Sequence, residues 1–176
     1  LKFVDLTGNE LEEEGAIALS AALKENQSIQ SLVIPENQIG NEGISVIAHA
    51  LKHNTTLQTL DVTQNNIFEE GAQFLAGVLE HHNVTLVELR MGGNGIRSEG
   101  GCALARAVAV HPKLNHLELQ NCLIDDEGII DLCRAVVANP KQQFEYLDVA
   151  LNNFSIRGEL YMQDLLMNET VRCEVH

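Results

Sequence analysis

The chain has 176 residues, 45% of them apolar and only 4% aromatic, and 25 acidic against 11 basic side chains leave a formal net charge of −14. That length suits one domain or one continuous array, and the apolar share argues against disorder throughout. No apolar run reaches the roughly 18 to 20 residues that span a bilayer, and excess carboxylates repel phosphate backbones and anionic lipid. Membrane and nucleic acid are therefore poor candidate partners, whereas a protein with a basic surface suits the charge.

One spacing, L-x-x-L-x-L-x-x-N-x-L, recurs six times, starting at Leu1, Ile29, Leu57, Leu86, Leu114 and Phe144. Five matched positions per copy, held in register along the chain, identify internal repeats. The first copy carries Leu1, Val4, Leu6, Asn9 and Leu11; the third carries Leu57, Leu60, Val62, Asn65 and Ile67. Each copy opens with alternating apolar residues, as at Leu60 and Val62, which predicts a short strand with one buried face. A helix is predicted to follow, beginning where acidic residues precede a glycine: residues 12–15, 42–43, 69–71, 99–100 and 125–128. Counting from these glycines, and from Gly158 in the last copy, the fourth residues are Leu19, Ile47, Leu75, Leu104, Leu132 and Met162. The eighth are Leu23, Leu51, Leu79, Val108, Val136 and Leu166, so the two columns share one helical face. The seventh are small at Ala22, Ala50, Val78, Ala107 and Ala135, which lets the helix approach the strand closely. Asn26, Asn54, Asn83, Pro112, Pro140 and Asn168 mark helix exits.

A unit this small buries too little apolar surface to offset the entropy of ordering it, so the copies must stack. Helices are wider than the spacing between paired strands, and the stack must curve. The expected fold is an α/β right-handed solenoid with parallel strands on the concave face and helices on the convex face. It forms one array over residues 1–176, with a degenerate segment at 168–176. The recurring Asn9, Asn37, Asn65, Asn94 and Asn152 are expected to satisfy backbone groups in their own turn and in the neighbouring one. Cys122 takes this position in the fifth copy and reads as a small buried thiol. With no C-x-x-C pair, Cys102, Cys122, Cys133 and Cys173 read as reduced. The chain opens on Leu1 with no basic segment before an apolar stretch, so no targeting signal is read and a piece of a longer protein is expected.

These residues resemble the leucine-rich repeats of the ribonuclease-inhibitor-like subfamily over about residues 1–168. The run IFEEGAQFLA at 67–76 is similar to the intracellular members, among them NOD-like receptors and Ran GTPase-activating proteins. The resemblance implies a cytoplasmic scaffold or recognition module that binds a partner protein on its concave face, with no cofactor and no catalysis of its own. Its alternatives are a GTPase-activating regulator, or the ligand-sensing array of a larger receptor; neither transfers a site residue. The last copy departs from the pattern, with Ser155, Ile156 and Arg157 in place of an acidic cluster. A seventh strand is expected to start near Val171, with Glu174 falling at a core position.

Between the core leucines, three outward columns are predicted. The central one reads Asp5, Val33, Asp61, Arg90, Glu118, Asp148; a flanking one reads Phe3, Ser31, Thr59, Glu88, His116, Tyr146; a third reads Gly8, Glu36, Gln64, Gly93, Asn121, Leu151. Candidate partner-binding residues are Phe3, Asp5, Asp61, Glu88, Arg90, His116, Glu118, Tyr146 and Asp148, a mixture of charges and rigid aromatic anchors. Carboxylates at the helix starts suit the positive dipole end, but those of the central column have no such explanation and point to a cationic partner. Gly92 and Gly93 predict a flattened concave patch. His49 with His53, and His81 with His82, have suggestive spacing, yet His53, His81, His82 and His111 read as last-turn residues that complement the helix dipole, so no metal site is expected. Phosphate-loop, nucleophile-elbow and calcium-loop motifs are absent from the sequence. Sequons at Asn54, Asn83 and Asn168 would carry glycan only on a secreted protein, which is not the expectation here.

Overall fold

Alternation over only two core residues supports only a short strand, and the first six strands are indeed three residues long. In a computed structural model, which describes residues 1–139, 144–167 and 174–175, six strand and helix pairs follow one another and a seventh strand closes the series. They are β1 (Phe3–Asp5), α1 (Glu12–Glu25), β2 (Ser31–Val33), α2 (Gly40–Leu51), β3 (Thr59–Asp61), α3 (Glu69–His81) and β4 (Glu88–Arg90). The rest are α4 (Arg97–Val110), β5 (His116–Glu118), α5 (Asp126–Ala138), β6 (Tyr146–Asp148), α6 (Ile156–Met167) and β7 (Glu174–Val175). All strands are parallel and lie in chain order in one sheet, so every helix packs against the helices of adjacent repeats. The result is an α/β solenoid with its sheet on the concave side and its helices on the convex side.

The core is one seam. Leu32, Leu60, Leu89, Leu117 and Leu147, central residues of β2 to β6, are buried, as are the helix-column residues Ile47, Leu75, Leu104 and Leu132 and Leu23, Leu51, Leu79, Val108 and Val136. Ala50, Val78, Ala107 and Ala135 are buried as expected, but Ala22 is exposed. The same edge leaves Val4, Leu6, Leu11 and Leu19 only partly buried, because α1 and β1 have a neighbour on one side among the described residues. Small residues let α4 and α5 approach, where a Cβ on Gly101 would lie 3.6 Å from the Gly128 Cα.

The amide ladder forms as expected. Asn65 Oδ1 accepts from the N–H groups of Asn37 and Ile39 in the preceding repeat, while its Nδ2 donates to the Ile34 and Thr63 carbonyls. Asn94 and Asn152 repeat this arrangement. Cys122 is buried, and its Sγ–H donates to the Met91 carbonyl at 3.3 Å. Burial pushes its thiol up to about 12 despite the nearby Asn94 and Gly93 backbone groups, so it stays protonated. Asn9, at the outer edge, is exposed.

A second ladder runs along the opposite end of the strands. Residues read from sequence as helix exits do more than stop helices: Asn26, Asn54 and Asn83 each accept, through Oδ1, the N–H groups two and three residues on. Asn54 Nδ2 donates back to the Leu23 and Asn26 carbonyls, Asn83 Nδ2 to Leu51, and Asn139 Nδ2 to Val108 and His111. The sequons at Asn54 and Asn83 thus follow from this turn, and both amides are buried with their hydrogens in use. Pro140, Asn168 and Cys173 lie outside the described residues.

His111 stands in this ladder where an Asn would. It is 1% exposed, and its Nδ1 accepts from the Lys113 and Leu114 N–H groups at 3.2 and 2.9 Å. Burial lowers its pKa to about 4, against the Asn83 carbonyl that favours the charged form. The ring is therefore a neutral acceptor, not the protonated dipole partner expected from sequence. His53 lies beyond the end of α2, and His82 is the residue after α3.

Acidic residues stand in the first helical turns as expected, among them Glu12, Glu42, Glu69, Glu99 and Asp126. Among the described residues, two helices have a side-chain cap from the residue before them, with Asp125 Oδ1 accepting from Glu127 N in α5 and Ser155 Oγ from Arg157 N in α6; Leu11, Ile39, Phe68 and Ile96 provide none. Early N–H groups turn instead to the next repeat, as Glu12 to the Asn37 carbonyl, Gly40 to Asn65 and Arg97 to Cys122. At the far end, β7 pairs with β6 so that Glu174 aligns with Tyr146 and Val175 with Leu147. The sequence register was one residue off: Val175, not Glu174, occupies the core row. Of segment 168–176, only these two residues are described.

Removing Asn65 strands four backbone groups, three in the preceding repeat and one in its own. Asn65→Ala is expected to lower the unfolding free energy by about 3 kcal/mol, measured by urea denaturation. For His111, the unfolded chain takes up a proton as pH falls below about 6.5 while the folded chain does not until about 4, so stability is lost across that window. His111→Asn, which keeps the acceptor, is expected to recover roughly 2 kcal/mol of the difference between pH 7 and pH 4.5.

The concave face as candidate binding site

Parallel pairing without slippage turns the outward columns into straight rows. One row runs Asp5, Val33, Asp61, Arg90, Glu118, Asp148, and the other Phe3, Ser31, Thr59, Glu88, His116, Tyr146. Strands about 4.8 Å apart bring side chains of consecutive repeats within bonding reach. Arg90, the last residue of β4, is the hub. Its Nη2 pairs with Glu88 Oε1, its Nε lies 3.2 Å from Glu118 Oε1 and its Nη1 3.9 Å from Asp61 Oδ2. Burial works against the guanidinium charge, but Glu88, Glu118 and Asp61 outweigh it and hold its pKa above the ordinary arginine value.

His116 Nε2 lies 3.0 Å from Glu118 Oε1 and 3.6 Å from Glu88 Oε1, and its ring stacks on Tyr146 with centroids 4.4 Å apart. Thr59 Oγ1 donates to the second oxygen of Glu88 at 3.2 Å. The structure thus joins Asp61, Glu88, Arg90, His116, Glu118 and Tyr146, with Asp148 in the adjoining strand position. It leaves Phe3 and Asp5 apart, because β2 interposes Ser31 and Val33.

The acidic column has a structural role that the sequence reading denied it. Asp5, Asp61 and Asp148 each accept, through Oδ1, the N–H two residues on, from Thr7, Thr63 and Ala150. The Thr7 hydroxyl and N–H hold the Asp5 carboxyl below its usual range. Glu118 has no such bond to its own turn and is occupied by Arg90 and His116.

The third column is set by backbone conformation. Gly8, Glu36, Gln64, Gly93, Asn121 and Leu151 all have φ between 52° and 68°, the left-handed turn that follows each strand. The glycine patch is not bare: the Gln120 side chain lies where a Cβ on Gly92 would go, and Gln64 does the same at Gly93. Thr59, Gln64 and Gln120 were missing from the sequence candidates; membership of the outward columns was the signal available for the first two.

Among the described residues, Glu88, His116 and Glu118 are the group whose ligand atoms lie close enough to hold a metal ion. No described helix is long and apolar enough to cross a membrane. Cys102, Cys122 and Cys133 are free thiols, and desolvation raises those of Cys102 and Cys133 to about 11, which makes them poor nucleophiles.

The family described as Leucine Rich repeat matches residues 1–20, 25–48, 53–76, 82–105 and 110–133, more than half of the chain. The protein belongs to the leucine-rich repeat family. No curated protein matches the sequence. Among solved structures, it is similar to leiomodin-1 actin-binding site 2, with a TM-score of 0.67 and 17% identity over 78% of this chain and 80% of that one. It is also similar to the C-terminal domain of Caenorhabditis elegans tropomodulin, with a TM-score of 0.64 and 15% identity over 88% of this chain and 90% of that one. At those identities the likeness is one of fold.

Replacing the hub leaves three carboxylates facing each other. Arg90→Met is expected to cost about 0.5 to 1 kcal/mol at low ionic strength, and thermal unfolding in 1 M salt should show most of that difference screened away.

Proposed function

We propose that this protein is a recognition module that grips a partner protein carrying a basic patch, through the concave surface of β3 to β6. One observation carries the reading: Asp61, Glu88 and Glu118 converge around the single guanidinium of Arg90, and Asp148 stands beside Glu118 on the next strand, which leaves three carboxylates in excess. Such a surface attracts cations and rewards their burial beside the stacked His116 and Tyr146 rings. The binding residues are those named from sequence, with Asp61, Glu88, Arg90, His116, Glu118, Tyr146 and Asp148 at the centre and Phe3 and Asp5 as an outlying contact. Asp61, Asp148 and Glu118 differ in what they can yield: the two aspartates also hold their turns, so Glu118 is the freest to engage a partner.

The reading is of binding without catalysis, in the cytoplasm, within a ribonuclease-inhibitor-like array over residues 1–176. A full helix in each repeat supports that subfamily. The GTPase-activating alternative gains no specific observation, since Arg90 is clamped by carboxylates instead of being presented outward. Because the leiomodin-1 structure is titled an actin-binding site, actin is the first partner to try.

Neutral isosteres test the charge without breaking the turns. The triple variant Asp61→Asn, Glu118→Gln, Asp148→Asn keeps backbone acceptors in place and is expected to weaken partner capture more than tenfold, about 1.4 kcal/mol, with unchanged helix content by circular dichroism. Capture by the parent chain should fall steeply with salt. Undiminished capture by the variant would move the binding surface to the helices or the loop edges.

A further inference from the structure

The side chains that crowd the middle of the concave face have a second chemical capacity. His116 Nε2 lies 3.0 Å from Glu118 Oε1 and 3.6 Å from Glu88 Oε1, and all three ligand atoms lie within 4.8 Å of one another. Ligands bonded at about 2.0 to 2.2 Å to a tetrahedral zinc ion stand roughly 3.3 Å apart, so the histidine's two edges already match such a site within a few tenths of an ångström.

The ligands are also held from behind. Tyr146 stacks on the His116 ring, fixing its plane, and Thr59 Oγ1 bonds the outer oxygen of Glu88. All three sit on adjacent, hydrogen-bonded strands, β4 and β5, which pair in register. Supports of this kind orient metal ligands and sustain affinity.

We propose that Glu88, His116 and Glu118 form a binding site for a divalent metal ion of the zinc class, with its remaining position open to the concave groove. One imidazole and two carboxylates suit a borderline ion such as zinc. Calcium prefers six to eight oxygen ligands and magnesium a rigid octahedron, and neither is met here. Arg90 is the resident competitor, since it occupies the same two carboxylates. Asp61, 3.9 Å from its Nη1, offers the guanidinium another partner when a metal ion takes Glu88 and Glu118.

The site shares residues with the proposed partner-binding surface but needs no partner, so zinc alone, titrated into the whole chain in metal-free buffer, tests it separately. Calorimetry is expected to show one equivalent of zinc bound, with the His116 ring protons shifted by NMR. His116→Gln and Glu118→Gln should each weaken binding at least tenfold, and Arg90→Gln should strengthen it several-fold by removing the competing charge. His49→Gln with His53→Gln, on and just beyond the end of α2, should leave it unchanged. Three results would each overturn the proposal: no heat of binding up to about 0.1 mM zinc, binding lost with His49 and His53 but not with His116, or calcium bound as tightly as zinc. Circular dichroism on every variant shows whether it is folded, and Arg90→Gln, which predicts a gain, cannot be mimicked by unfolding.

Discussion

Each coil of this chain leaves backbone groups that only the next coil can reach. A buried N–H or C=O without a partner costs as much as a lost hydrogen bond, and a three-residue strand makes too few ladder bonds to cover its turns. Two rows of side chains close the gap. Asn37, Asn65, Asn94 and Asn152 work at the strand exits, while Asn26, Asn54, Asn83, His111 and Asn139 work where the chain returns from helix to strand. Because each of these amides except Asn26 bonds across a repeat boundary, the spacing between the inner coils is fixed at both ends of the strands. Stability in such an array is held between neighbours more than within any one unit.

That constraint is what assembles the concave surface. Strands pinned without slippage put every outward residue beside its counterpart in the next repeat, so residues 28 to 30 apart in sequence become contacts. Like charges in one row would repel, and the chain offsets this by placing Arg90 between Asp61 and Glu118 in the central row and beside Glu88 in the flanking one. The remaining negative excess stays on the surface, together with an imidazole held by a tyrosine. Asp61 and Asp148 illustrate how a side chain serves two ends at once, since the oxygen that holds a turn also contributes to the field above the sheet.

The edges show the same rule by contrast. Leu1, Phe3 and Ile17 are exposed beside β1 and α1, and Leu151, Ile156, Leu160 and Met167 are exposed around α6. The column of Leu1 is buried at Leu57, Leu86, Leu114 and Phe144, where a coil stands on either side. Phe3 owes its exposure to this position in the row, and Leu151 adopts a left-handed turn with φ 59° that a branched side chain tolerates poorly.

The repeat, its period, the strand and helix order, the buried leucine columns and the outward rows were all legible in the amino-acid sequence, because each follows from local periodicity copied six times. Legible too was the role of Asn65 and its equivalents, whose recurrence in a buried turn had one physical explanation. What the linear pattern could not reveal was who bonds whom across the repeat boundary. His111 looked like a last-turn cation and proved a neutral stand-in for asparagine; the acidic column looked free and is partly tied to its own turns. Those outcomes depend on distances between residues about 28 positions apart, on burial and on the competition of neighbouring charges. The convergence of Glu88, Arg90, His116 and Glu118 belongs to the same class: the sequence supplied the ingredients, and only the stacked strands set them within 3 to 4 Å of each other.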